Sequence, residues 1–365
     1  MRTCCLSLLA LLGVSAAQAQ PASGSLPLWS PPTQGEALSS PLDYVPTAAQ
    51  VVLYWRVDDF LKHPEAAHVL AAAGELGEWL QVEAPRQLGV ALDDLQWLTI
   101  GLTPGDEAPR ITLAGMTKTA KPVTELQAAW GTTTARPAAT DSQSNGKTSR
   151  VNATTFPQGD NTYFLPPEQD GRLIVRAPTA LARELSAGAS KDRPRRREFD
   201  ELLAHSDASR HFTVLFAPSF WLNSGKPLLR DQYQHVRDWL TWFFPRTTEG
   251  ALVSLNLDER LFLELRIASS ADRKPAVLLR DFRDRVGEAA ARLESELKDR
   301  AATDYDRKVL ARLPKMLATL AEFTRADLDG RQVVLRAYLP TVAAHNLALG
   351  ARLLFEPLPA APGSP

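Results

Sequence analysis

Six histidines, two adjacent acid pairs, one basic run and one dense aromatic stretch carry most of the chemical potential of this 365-residue chain. The histidines are His63, His68, His205, His211, His235 and His345. A helical metal pair needs imidazoles at i and i+4 on one face. His63 and His68 are five apart with Pro64 between them, and no carboxylate is evident at ligand spacing on a second element, so solvated or capping histidines are expected. His205-Ser206-Asp207 and Ser209-Arg210-His211 contain the residue types of a hydrolase triad, but fold geometry rather than adjacency builds triads. Asp58-Asp59 and Asp93-Asp94 supply paired carboxyls. Acid–base chemistry needs two such groups in a common cleft with displaced pKa values. Both pairs stand beside strand ends, where helix capping and turn formation account for them.

The remaining motifs are sparse. The chain has no GxSxG, HExxH, GxGxxG or EF-hand pattern. Asn145-Gly146-Lys147-Thr148 echoes a phosphate loop, but position 141 is Asp141 where the curl of backbone amides requires glycine. Lys191, Arg193, Arg195, Arg196 and Arg197 form an anion-patch candidate. Asp192, Glu198, Asp200 and Glu201 surround it, and Arg197–Glu201 has the spacing of a helical ion pair, so a solvated hinge is the simpler reading. Trp221, Tyr233, Trp239, Trp242, Phe243 and Phe244 are an interface candidate. Trp239, Trp242 and Phe243 also have the three- and four-residue spacing of a core face, and both readings stay open. Asn152-Ala153-Thr154 is a glycosylation sequon, relevant only in a eukaryotic secretory pathway. No catalytic residue, cofactor or metal ligand is assigned.

With 41 Lys+Arg against 42 Asp+Glu, the chain lacks the excess charge of a nucleic-acid or polybasic membrane binder. Met1-Arg2-Thr3, the apolar run Cys4 to Val14 and the small-residue site at Ala17-Gln18-Ala19 have the layout of a secretory signal peptide, with cleavage expected between Ala19 and Gln20. The apolar run is too short for a stable membrane anchor. Both cysteines, Cys4 and Cys5, lie in that segment, so the exported chain is expected to be cysteine-free and to rely on its core.

The elements that position these groups read as α+β. Residues 1–19 are the signal, 20–42 a Pro/Ser-rich linker, 43–189 a first domain, 190–200 a charged hinge, 201–357 a second domain and 358–365 a disordered tail. Strands are expected at Val51–Val57, Leu95–Leu102, Arg110–Met116, Thr148–Phe156, Thr162–Leu165 and Arg172–Arg176. In the second domain they are expected at His211–Phe216, Gly250–Leu257, Leu261–Ala268 and Gln332–Leu339. Helices fall between them, with a long helical stretch from Pro275 to Phe323 that Thr303-Asp304 and Pro314 bend or divide. Each half reads strand, helix, two strands, helix, strand, helix, which suggests two tandem ferredoxin-like (split β-α-β) halves.

Four segments carry a family likeness: Val45-Pro46 to Leu61, Leu88-Gly89-Val90 to Leu102, Lys118 to Pro122, and the hairpin Gly250–Ile267. On these the chain resembles an uncharacterised family of exported, signal-peptide-bearing proteins of planctomycete-type bacteria. The resemblance implies export and a two-half α+β architecture, and it transfers no functional residue. The expectation is therefore an exported, non-enzymatic protein acting through a protein or cell-envelope component, without nucleic acid and without a membrane anchor after cleavage. The alternative is a periplasmic ligand- or glycan-binding protein with hydrolytic chemistry drawn from Asp58, Asp59, His63 or His211 between the halves.

Overall fold

The computed structural model describes residues 39–106, 108–132, 136–137, 153–186, 196–222, 233–270, 272–297 and 304–355. The chain forms two compact units. The first takes its described residues from Pro32–Lys62 and Trp79–Leu215, the second from His63–Glu78 and Phe216–Pro365. This differs from a division at the charged hinge. Residues 196–215 stay with the first unit because the backbone N–H of Arg56 donates to the His211 carbonyl at 2.9 Å, extending the pairing of the first strand.

The first unit carries strands β1 (Val51–Trp55), β2 (Leu95–Thr103), β3 (Arg110–Thr117), β4 (Arg136–Pro137), β5 (Thr154–Gln158), β6 (Asn161–Leu165), β7 (Leu173–Pro178) and β8 (Phe212–Phe216). They lie in the order β8-β1-β2-β3-β7-β6-β5-β4. β1 and β8 are buried along their whole length, as expected of β-branched and aromatic runs inside a sheet. A split β-α-β unit runs its two helix-linked strands parallel with another strand between them. Here the helix-linked strands β1 and β2 are immediate antiparallel neighbours with no strand between them, so the α+β alternation is present while tandem ferredoxin-like halves are not confirmed.

Trp130 ends the Val123–Trp130 helix at the centre of this core. Its indole N–H donates to the Leu88 carbonyl at 2.9 Å, and its ring stacks on Tyr163 at 4.4 Å. Gly89, at φ +76°, caps the Ala84–Leu88 helix in the left-handed region, and a Cβ there would sit 2.7 Å from the Trp130 indole nitrogen. Both conditions demand glycine.

The second unit carries β9 (Thr248–Leu257), β10 (Leu261–Ser269), β11 (Thr324–Asp329) and β12 (Gln332–Leu339), ordered β9-β10-β12-β11 with antiparallel ladders. The expected hairpin at Asp258-Glu259-Arg260 is present, with the Asp258 N–H donating to the Arg260 carbonyl at 3.0 Å. β11 has no counterpart in the sequence reading, because Thr324-Arg325-Ala326-Asp327 is too polar to announce a strand. Leu278, Phe282, Val286 and Leu293 of the Pro275–Leu297 helix are buried, as are Leu313, Leu317 and Leu320 of the Asp304–Phe323 helix, which keeps Pro314 in its interior. Among the described residues no helix is long and apolar enough to cross a membrane.

Candidate functional site

The side chain with the most ligand-like surroundings is Glu65 of the second unit. It sits at the N-terminal boundary of the Ala66–Ala72 helix. The His63 imidazole fixes the approach: Nδ1 accepts the Glu65 backbone N–H at 3.1 Å, so Nε2 carries the proton and donates to the Asp258 carbonyl at 3.1 Å. His63 is thus a structural tie between this turn and the β9–β10 hairpin.

Glu65 and His68 are three residues apart and share a helical side. His345 arrives from the Ala343–Phe355 helix, which buries Ala344, Ala348 and Ala351, small residues that permit close approach. Gly74, at φ +59°, closes the turn after the first helix, and an added Cβ would meet Arg352 Cδ at 2.4 Å. Gly77 is tighter, since its Cβ would lie 1.8 Å from the Leu70 carbonyl oxygen.

Glu65, His68 and His345 thereby place one donor atom each within 4.8 Å of one another. Glu65 Oε2 is 2.9 Å from His345 Nδ1 and 3.6 Å from His68 Nδ1. The two imidazoles lie edge to face, with centroids 5.8 Å apart. The His345 hydrogen bond, with a smaller contribution from His68, holds the Glu65 carboxyl below the usual carboxylate range. The sequence reading saw no carboxylate at ligand spacing. Glu65-x-x-His68 was visible as a helical spacing, but nothing in the sequence connected it with His345.

The other acids and histidines are engaged differently. Asp58 accepts from Lys118 Nζ at 2.6 Å and Lys62 Nζ at 2.7 Å, and these two lysines, Lys118 first, hold its carboxyl below the usual range. Asp59 accepts the Arg56 guanidinium, with Nε at 2.8 Å. Asp94 pairs with Lys121 at 2.7 Å. The His211 ring packs edge-on against Phe60 at 5.9 Å, in a cluster where Trp55 and Phe212 stack at 5.3 Å. Asp58, Asp59 and His211 belong to the first unit and His63 to the second.

Trp221, Tyr233, Trp239, Phe243 and Phe244 of the interface candidate are buried. Phe243 meets Phe282 at 5.4 Å, and Phe244 meets Phe216, the last residue of β8 and one that groups with the second unit, at 5.3 Å. Trp242 stays half-buried under the Arg292 guanidinium, 4.9 Å from its centroid. Arg285 donates to the carbonyls of Trp242 and Phe243 at 2.5 and 2.8 Å, satisfying the C-terminus of the Gln234–Phe243 helix.

Of the basic run, Lys191, Arg193 and Arg195 lie outside the described residues, as do Ala19, Gln20 and the Asn145–Thr148 segment. Arg196 donates to Gln50 Oε1 at 2.6 Å, and Arg197 makes the expected ion pair with Glu201 at 2.7 Å.

No protein-family model matches the chain, and no curated protein matches it. Among solved structures, crystal form I of TP0453, a Treponema protein, shares 10% identity at a TM-score of 0.39, covering 87% of this chain and 98% of that one. Crystal form IV of TP0453 shares 11% identity at a TM-score of 0.40, covering 84% and 94%.

Proposed function

We propose that the protein is exported and works by binding, as a non-enzymatic protein that contacts another protein or a cell-envelope component. The export half of this reading is supported by the signal-like order of Met1 to Ala19. The binding half is carried by one observation, the engagement of Asp58. A general acid must hold a transferable proton near the working pH. The Lys118 and Lys62 ammonium groups instead keep this carboxylate ionised and hydrogen-bonded. Asp59 is occupied by Arg56, and the His63 ring uses both nitrogens in structural hydrogen bonds. These are three of the four groups that the alternative, hydrolytic reading would draw on, and each holds backbone or neighbouring side chains in place; the fourth, His211, packs its ring against Phe60.

The test is affinity purification of the full chain from its native envelope under mild detergent, followed by reconstitution with the purified companion. A companion that rebinds at fixed stoichiometry, equally well to wild type and to Asp58→Asn, is the expected result. A hydrolytic or transfer activity that falls with Asp58→Asn while the fold is retained would overturn the reading.

A further inference from the structure

We infer that Glu65, His68 and His345 form a binding site for one divalent transition-metal ion of the zinc, nickel or copper kind. Three considerations carry this.

The first is donor chemistry. Asp58 is matched with the permanent cations Lys118 and Lys62, and Asp94 with Lys121. The ion-pair partners described for Glu65 are two imidazoles. A neutral imidazole nitrogen offers a lone pair to a metal. Two imidazoles and one carboxylate suit zinc, nickel, copper or iron, whereas calcium and magnesium prefer oxygen ligands throughout.

The second is spacing. Ligand atoms about 2.1 Å from one ion stand roughly 3–3.5 Å apart at tetrahedral or octahedral angles. Glu65 Oε2 stands close to this range toward both rings, at 2.9 and 3.6 Å, and the remaining separation is within 4.8 Å. The side chain that would have to move to close the difference is His68, which is 68% exposed.

The third is construction. Two donors come from one helix side and the third from a helix far along the chain. His63 anchors the turn that presents Glu65, and the alanine face of Ala343–Phe355 sets the approach of His345. Glu65 and His345 are part-buried while His68 faces water, so an ion has both a fixed seat and an entry side. An ion there ties the two helices together.

The test is calorimetric titration of Zn²⁺ into the full chain without a polyhistidine tag, carrying Cys4→Ser and Cys5→Ser so that no thiolate competes. His68→Ala, His345→Ala and Glu65→Gln are compared with His205→Ala, an exposed histidine of the first unit. Because His68 is exposed, its replacement leaves the fold intact, and circular dichroism verifies this. Wild type is expected to take up one equivalent of Zn²⁺, with Ni²⁺ competing and excess Mg²⁺ without effect. Removing an outer partner of a metal ligand typically costs 10–100-fold, so loss of a ligand itself is expected to cost at least about 100-fold in affinity. His205→Ala is expected to bind as wild type does. Absence of Zn²⁺ uptake by wild type, or unchanged affinity in His68→Ala and His345→Ala, overturns the inference. Both results leave the export and partner reading untouched.

Discussion

Replacing Glu264 by glutamine tests the energetic centre of the second unit. Glu264 lies in β10 directly opposite Arg336 of β12, and its side chain is 2% exposed. Its two oxygens accept from Arg266 Nε and from Arg336 Nε, each at 2.7 Å. Arg266 is equally enclosed and also donates to Asp329 at 2.8 Å and to Gln332 at 3.2 Å. Removing one partner of a buried ion pair costs roughly 3–5 kcal/mol, because the surviving charge keeps its desolvation penalty. Glutamine preserves shape and one acceptor, and Asp329 still neutralises Arg266, so about 3 kcal/mol is expected. At 1.36 kcal/mol per tenfold, that is roughly 150-fold in the opening equilibrium.

Hydrogen exchange read by mass spectrometry, in the regime where exchange reports opening equilibria, gives this directly from the β10 and β12 amides. The double variant Glu264→Met/Arg266→Met is expected to recover most of the lost protection. Apolar side chains of similar volume can replace a buried pair at little cost, while Arg336 and Asp329 reach water. A fall of less than about twofold in the single variant, within the ±0.5 kcal/mol of an ordinary surface substitution, would refute the reasoning. So would a double variant that exchanges faster than the single one.

Gly77→Ala is expected to destabilise the second unit by about 1–3 kcal/mol, because its Cβ would drive into the Leu70 carbonyl and displace the Ala66–Ala72 helix. Thermal unfolding checks this, and Gly287→Ala, where a Cβ meets nothing within 4 Å, serves as the tolerated control. Trp130→Phe is expected to cost about 1–3 kcal/mol by leaving the Leu88 carbonyl without its indole donor. Urea unfolding followed through the first unit's remaining tryptophans measures it.

The pH dependence has a definite sign at Asp58. Its native pKa lies below the unfolded value, so the unfolded state binds more protons in acid and stability is lost as the pH is lowered. The contribution is complete above about pH 5 and fades as pH drops through the native pKa, which lies below 3.8. With a partly exposed side chain the effect stays within about 1 kcal/mol, and Asp58→Asn is expected to flatten the acid limb of a stability–pH curve by that amount.

Much of the fold could be read along the chain because its strands announce themselves through β-branched and aromatic runs. Val51–Trp55 and Gln332–Leu339 emerge close to their expected bounds. The pairing was not legible, since helix-linked strands may be arranged parallel or antiparallel by the same alternation of elements. β1 beside β2 is decided by which faces bury together, and that is a property of the assembled sheet. Of the residues at helical spacing, Trp239 and Phe243 are buried while Trp242 stays half-buried, and Phe244 and Trp221 are buried through contacts that periodicity does not report. The Glu65 cluster shows the same limit more sharply. Glu65 and His68 are three apart, but the third donor is 280 residues away and is brought near by helix packing.

Export is the claim on which the functional reading stands, and intact mass spectrometry of the natively produced protein tests it most directly. Recovery from the exported fraction, with a mature N-terminus at Gln20 and no cysteine, is the result predicted. A chain retained inside the cell with Met1 to Ala19 still attached would contradict it.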